Sequence, residues 1–273
     1  MNGLKPELFE IERQAPEDKI YIVSYPKSGR TWLRVLLSRY KQRLLNINDF
    51  HLKLHALYSS SPYLTPQYIF YHAGSANAQT SYKKKVKDFF KRNNKGQFSL
   101  SKCTNSKLII LIRDLRDTIV SAYHQDSKRA NLFSGTISDY IRNDQLGMSR
   151  LIRFYEFLAN EKGKYDHIIV AYEDMHTNIN KQMKFILNFS GIDVNEEFIN
   201  DSINFAQFSN MQSLEKSNFF GEKLSPKNNK DVNSYKVRKG KIGSYKDELN
   251  HEDVIYINDR ITKELHSYFD RYR

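Results

Sequence analysis

Apolar positions along this chain alternate between short continuous runs and stretches at helical spacing. Residues 19–25 are such a run, and it meets a turn containing Pro26 and Gly29. Residues 31–44 then repeat apolar positions every three or four residues. Further runs at 67–71, 107–113 and 167–172 predict strands. Periodic segments at 115–127, 148–161, 180–189, 195–202 and 252–269 predict helices, as does 81–91, where Lys83, Lys84, Lys85 and Lys87 crowd together. Strands separated by helices predict an α/β fold of three layers, a central parallel sheet flanked by helices. Residues 217–244 are rich in Lys, Asn, Ser and Gly and have little periodicity, which predicts a long loop. In a compact domain such loops are commonly functional. No repeat or linker divides the chain, so residues 1–273 are expected to form one domain.

Composition narrows the partners. A hydrophobic content of 40% over 273 residues is enough for a sizeable core, and the net charge of +12 points to an anionic partner. No block of arginines and aromatics resembles a nucleic-acid module, so an acidic small substrate is favoured over nucleic acid or a membrane surface. The single cysteine, Cys103, excludes an intrachain disulfide framework. His51 and His55 are four apart, but no third ligand accompanies them, which favours exposed or packing histidines over a metal site. Residues 1–18 are polar, with no run of signal or membrane length, so a cytoplasmic protein without a membrane segment is expected.

Three segments carry anion chemistry. In Tyr25-Pro-Lys-Ser-Gly-Arg-Thr-Trp32, a strand end, a glycine turn and a helix start leave free backbone N–H groups at the positive end of a helix dipole. Lys27 adds a point charge, and Ser28 and Thr31 add hydroxyl donors. An ATP or GTP loop has its lysine directly after the second glycine; here Lys27 precedes Gly29, so that pattern fails. Farther on, Arg113 stands at the end of a buried strand, where open α/β sheets bind ligands, and Ser121 follows on the next helix. A guanidinium fork and a hydroxyl suit one phosphate, although Arg113 and Asp114 alone would equally fit a structural ion pair or a poor Walker-B acid. The third segment, Val237-Arg-Lys-Gly-Lys-Ile-Gly-Ser-Tyr-Lys246, joins two glycines to Arg238 and Lys239. By itself it would also fit a solvated basic loop.

Together the three segments resemble the sulfotransferases that use 3′-phosphoadenosine 5′-phosphosulfate (PAPS). Residues 25–32 match that family's Tyr-Pro-Lys-Ser-Gly-Thr-Thr-Trp except at Arg30. Residues 113–124 match its 3′-phosphate motif at Arg113, Asp114, Arg116, Asp117, Val120, Ser121, Tyr123 and His124, with Leu115 for the usual proline. Residues 238–246 match Arg-Lys-Gly-x-x-Gly-x-Trp-Lys, with Tyr245 for Trp. The resemblance implies a P-loop-like fold with PAPS as co-substrate. It assigns Lys27, Ser28, Gly29, Arg30, Thr31 and Trp32 to the 5′ end, and Arg113, Ser121, Arg238, Lys239 and Gly240 to the 3′-phosphate. Tyr172, in Tyr-Glu-Asp-Met, would contact adenine, with Phe208 and Met211 packed against the base and Trp32 on its other side.

Sulfuryl transfer needs in-line geometry, charge stabilisation at the leaving oxygen and a base for the acceptor proton. Lys27 is expected to meet the leaving phosphate, and the resemblance implies that Ser121 holds it back until acceptor binds. Lysine and arginine supply the positive charge, so no metal is called for. His72, just after the strand at 67–71, occupies the family's Lys-Thr-His position, although Phe70 stands where the lysine would be and Ala73-Gly74 replace Leu-Pro. His51 and His55 remain alternatives for the base. The acceptor is a hydroxyl compound, a carbohydrate or small molecule, met by segments 44–66, 73–106, 125–147 and 213–236, where Tyr58 and Tyr63 lie. A P-loop kinase would instead require magnesium and ATP. A non-catalytic binder of adenosine bisphosphates would keep the three segments and tolerate loss of His72.

Overall fold

The computed structural model describes residues 19–46, 66–71, 98–100, 103, 105–221, 225–226, 228 and 230–273. Four strands, β1 (Lys19–Ser24), β2 (Gln67–Tyr71), β3 (Lys107–Ile112) and β4 (His167–Ala171), form one parallel sheet in the order β2-β1-β3-β4. The strands read as continuous apolar runs because both sheet faces are covered. Val23, Leu108, Ile110, Ile112 and Ala171 enter one core, while Ile20, Ile22, Ile109, Leu111 and Val170 enter the other. The three-layer α/β expectation therefore holds.

Helix α1 (Arg30–Leu44) follows β1 and places Leu33, Leu36 and Tyr40 in the second core. Helix α2 (Leu115–His124) follows β3 and sends Leu115, Ile119 and Val120 to the first core, on the opposite face. The chain thus leaves β1 and β3 toward opposite faces, which opens a crevice at their carboxyl ends. Helices α3 (Ile137–Arg142) and α4 (Met148–Glu161) complete the layer with α2. After β4 come α5 (Tyr172–Thr177), α6 (Ile179–Phe189), α7 (Glu196–Phe205) and α8 (Phe208–Lys216), and α9 (His251–Glu264) returns to the first core. Among the described residues no helix is long and apolar enough to cross a membrane.

Two predicted helices are shorter than their periodicity implies. The 115–127 segment leaves α-geometry after His124 and continues as a π-turn, Gln125–Arg129, which ends with Arg129 buried. The 252–269 segment breaks at Leu265, where the His266 side chain accepts the Tyr268 N–H at 3.0 Å. The new direction buries Phe269 and Tyr272 against Tyr155. Three helices, α3, α5 and α8, are outside the predicted set; α3 and α5 have too few turns to register as periodic. The predicted helix at 81–91 lies outside the described residues.

Candidate active site

The first anion segment closes the carboxyl end of β1. Lys27 has φ 75° and Gly29 φ 93°, so two residues within three positions turn left-handed and send the chain sharply into α1. Gly29 is the N-cap and brings no side chain of its own, so the first N–H groups of α1 stay open to a ligand. A side chain there is excluded: a Cβ would stand 2.4 Å from Tyr172 Cδ2. Ser28 is completely buried, and its hydroxyl has no hydrogen-bond partner among the described residues. A buried hydroxyl without a partner is unusual, and an anion oxygen would satisfy it.

Arg113 follows β3 directly and ties the segments together. Its guanidinium donates to Lys27 O at 3.1 Å and to Lys241 O at 3.4 Å, and it lies 4.2 Å above the Tyr172 ring. The Tyr155 hydroxyl holds its backbone, accepting from Arg113 N at 3.0 Å and donating to Arg113 O at 2.5 Å. One turn into α2, the buried carboxylate of Asp117 accepts from Gly243 N at 2.7 Å, Tyr245 N at 3.0 Å and the Ser244 hydroxyl at 3.3 Å. The second segment thus grips both the first and the third. The Ser121 hydroxyl makes no hydrogen bond to another described residue, so the expected contact with the Lys27 ammonium is not formed in this structure.

The third segment is held differently. Glu248 accepts from Arg238 at 2.6 Å and from Lys239 at 2.9 Å, and makes a short hydrogen bond with His124 Nε2. Burial alone would raise the Glu248 pKa, but the bonds from His124, Lys239 and Arg238 outweigh it and hold the carboxyl down at about 2. Gly240, at φ 61°, lies under the Phe208 ring, where a Cβ would come within 2.3 Å of Cδ2. Phe208 itself is 40% exposed and offers its ring to solvent.

Of the expected base-binding aromatics, Trp32 and Tyr172 are in contact. Trp32 donates its Nε1 proton to Ala206 O at 3.0 Å and meets Tyr172 edge-on, with centroids 5.7 Å apart. Tyr172 is nearly buried between Arg113 and Gly29, and is therefore also a support for the anion turn. His176, one turn along α5, packs on both rings at 4.8 and 4.6 Å. Met211 is buried in the core below.

Around Lys27 the charge is lopsided. Its pKa is lowered to about 7, first by burial and then by Arg129, Arg113 and Arg238, with Glu215 acting in the opposite sense. Lys236 is lowered to about 7 as well, by burial and then by Lys27, Arg129 and Arg30, against Glu215. Sequence reasoning missed this cluster, together with Asp117's grip, Glu248 and Tyr155. Asp117 carried a signal, since it sits inside the second motif. Glu215, Lys236 and Glu248 carried none. His72, His51 and His55 lie outside the described residues.

Known proteins resemble this chain over most of its length. A family model described as Sulfotransferase domain matches residues 17–269. The chain is 25% identical to Sulfotransferase 1E1 of Bos taurus over 86% of its own length and 79% of that protein. It is 26% identical to Cytosolic sulfotransferase 1 of Arabidopsis thaliana over 88% and 76%. Among solved structures, mouse sulfotransferase SULT7A1 complexed with PAP superposes with a TM-score of 0.58 at 21% identity, covering 96% of this chain and 89% of that one. Retinol dehydratase in a complex with retinol and PAP gives 0.63 at 14% identity, covering 96% and 86%.

Proposed function

The chain belongs to the sulfotransferase domain family, and from that premise we propose that it moves a sulfuryl group from PAPS to a hydroxyl-bearing acceptor. The acceptor is a carbohydrate or another small molecule, and the site of action is the cytoplasm. The observation that carries this reading is the meeting of three anion-binding segments at Arg113, whose guanidinium bridges Lys27 O and Lys241 O. A doubly phosphorylated nucleotide needs two separate phosphate anchors, and the strand-end crevice supplies both. The PAP-bound state of the structural neighbours is in keeping with that assignment.

The residues divide the work. Backbone N–H groups at the start of α1, with Ser28, Arg30 and Thr31, bind the 5′ end. Arg113, Ser121, Arg238 and the backbone at Lys239 and Gly240 bind the 3′-phosphate. Trp32, Tyr172 and Phe208 border the adenine. The transfer breaks the bond from sulfur to the 5′-phosphate oxygen and forms one to the acceptor oxygen. Lys27 stabilises the charge gathering on the leaving oxygen, and His72 takes the acceptor's proton, the histidine pKa being nearest neutrality. His72 directly follows β2, the strand beside β1, in sequence.

Calorimetric titration with PAP (adenosine 3′,5′-bisphosphate) in the absence of magnesium, set against ATP, tests the nucleotide class. Micromolar binding of PAP with little for ATP is expected. Preference for magnesium-ATP would overturn the assignment in favour of a kinase. His72→Ala should retain PAP binding and lose roughly 10²–10⁴ in transfer rate; undiminished turnover removes His72 from the mechanism.

A further inference from the structure

We propose that Lys236 is a second lysine of the transfer centre, meeting the sulfuryl end of the co-substrate beside Lys27. The inference rests on the sulfotransferase reading and adds to it a residue outside all three motifs. It starts from how the chain is held. The buried Glu215 carboxylate, on α8, accepts from Lys236 N at 2.7 Å and Val237 N at 2.9 Å. Arg129, turned inward by the π-turn after α2, donates to Ser234 O and to Ser225 O, and lies 3.5 Å from Glu215. Residues 234–237 are therefore fixed on both sides, by α8 and by the π-turn. Lys27, Arg129 and Arg30 act on the ammonium they present as like charges, and Glu215 acts in the opposite sense.

Lysines with structural roles have partners, and this chain shows what that looks like. Lys41 donates to Pro66 O at 2.5 Å and lies 4.7 Å from the Tyr68 ring centroid. Arg238 and Lys239, two and three residues beyond Lys236, are paired with Glu248. The Lys236 ammonium has no hydrogen bond and no ion pair with another described residue, and neither has that of Lys27. Holding two ammonium groups among like charges is unfavourable in an empty protein. The arrangement becomes favourable once an anion stands between them. Arg113 and Arg238 are committed to the other phosphate, so Lys27 and Lys236 are left for the reactive end. Their protons move nowhere in the reaction: both stay on nitrogen while the sulfur–oxygen bond to the phosphate breaks and that to the acceptor forms.

The test compares Lys236→Met and Lys236→Arg with the wild type, using PAP and PAPS as probes. Calorimetry gives both affinities, and chromatography gives the slow release of PAP from PAPS with water as acceptor. Lys236→Met is expected to bind PAP within about twofold of wild type, to bind PAPS at least about tenfold more weakly, and to lose roughly 10² in PAP release. Lys236→Arg should restore most of the loss. Equal weakening of PAP and PAPS would make Lys236 a phosphate holder and overturn the proposal, as would no change in either. A wild type that fails to bind PAP sinks the sulfotransferase reading itself, a different outcome from a Lys236 variant that matches the wild type. Should Lys236→Met fail to fold, Lys236→Gln gives the same comparison.

Discussion

The two ends of the crevice handle positive charge in opposite ways. At the end proposed for the 3′-phosphate, Arg238, Lys239 and His124 all converge on Glu248, so the arginine and the lysine are oriented and compensated before any ligand arrives. At the end proposed for the transfer, Arg30 and Arg129 add like charge around Lys27 and Lys236, with Glu215 and Asp126 among the described residues acting in the opposite sense, and both ammonium groups are lowered to about 7. The first arrangement suits an anchor, because side chains already in position lose little freedom on binding. The second suits chemistry: an uncompensated charge gains most from an anion and from any charge that grows on it in the transition state. A protein that needed only to bind would have no use for the unfavourable end.

The sharpest way to break this contrast is to remove the unpaired charge. Lys27→Met keeps the length of the side chain and loses the ammonium. Turnover of PAPS is expected to fall by roughly 10²–10³, the effect of losing one donor to a developing oxyanion. PAP affinity should fall far less, because Arg113, Arg238 and the start of α1 remain. Steady-state rates and calorimetry on the same preparation separate the two; equal losses in both would reduce Lys27 to one more anchor.

A pH series probes the same difference without mutation. Burial and neighbouring like charge lower the pKa of Lys27 and Lys236 to about 7 in the free protein. A bound anion favours the charged forms and draws the protons back. Binding of PAPS above pH 7 is therefore accompanied by proton uptake, and its affinity falls as pH rises, by up to about tenfold per unit for each proton taken up. The 3′-phosphate of PAPS completes its own ionisation near pH 6, so the window from 7 to 9 belongs to the protein. Glu248, held at about 2, is silent there. Calorimetry at pH 8.5 in buffers of different ionisation heat counts the protons. A flat response would mean that both lysines remain charged in the free protein.

How much of this was legible in the sequence depends on how local each feature is. The strand–turn–helix from β1 into α1 was readable because its chemistry lies within eight residues, and Gly29 and the lysine spacing are written side by side. Arg113 was readable from its place at the end of an apolar run. Its job as a bridge to Lys241 was not, since the partners are 128 residues apart. The Asp117 grip on Gly243 and Tyr245 and the Glu215 clamp on Lys236 are similarly long-range. The stretch 217–244 reads as featureless because its described residues around 225 and 234–245 are held by those two carboxylates and Arg129 rather than by periodic burial. The π-turn was illegible for another reason: residues 125–129 continue a helical pattern, and only the buried partners of Arg129 favour the extra residue in the turn.

The smallest expected effect falls on the compensated end, and it discriminates between anchoring and reactive roles most finely. Glu248→Gln removes the carboxylate and leaves Arg238 and Lys239 without their shared counter-charge. The folded protein should lose about 1–3 kcal/mol, the cost of orphaning charged hydrogen bonds, measured by urea denaturation at pH 7. The sign follows from the depressed carboxyl: in wild type its contribution is full above the ordinary glutamate range near 4.5 and disappears as pH falls through about 2. The Gln variant should therefore show less loss of stability between pH 4.5 and 2 than wild type. A 3′-phosphate would supply the missing anion to Arg238 and Lys239, so PAP should raise the melting temperature of the variant by more than it raises that of wild type. Adenosine 5′-monophosphate, which lacks the 3′ group, should not. Equal stabilisation of both proteins by PAP would mean that the phosphate never reaches these cations, and the two ends of the crevice would have to be assigned anew.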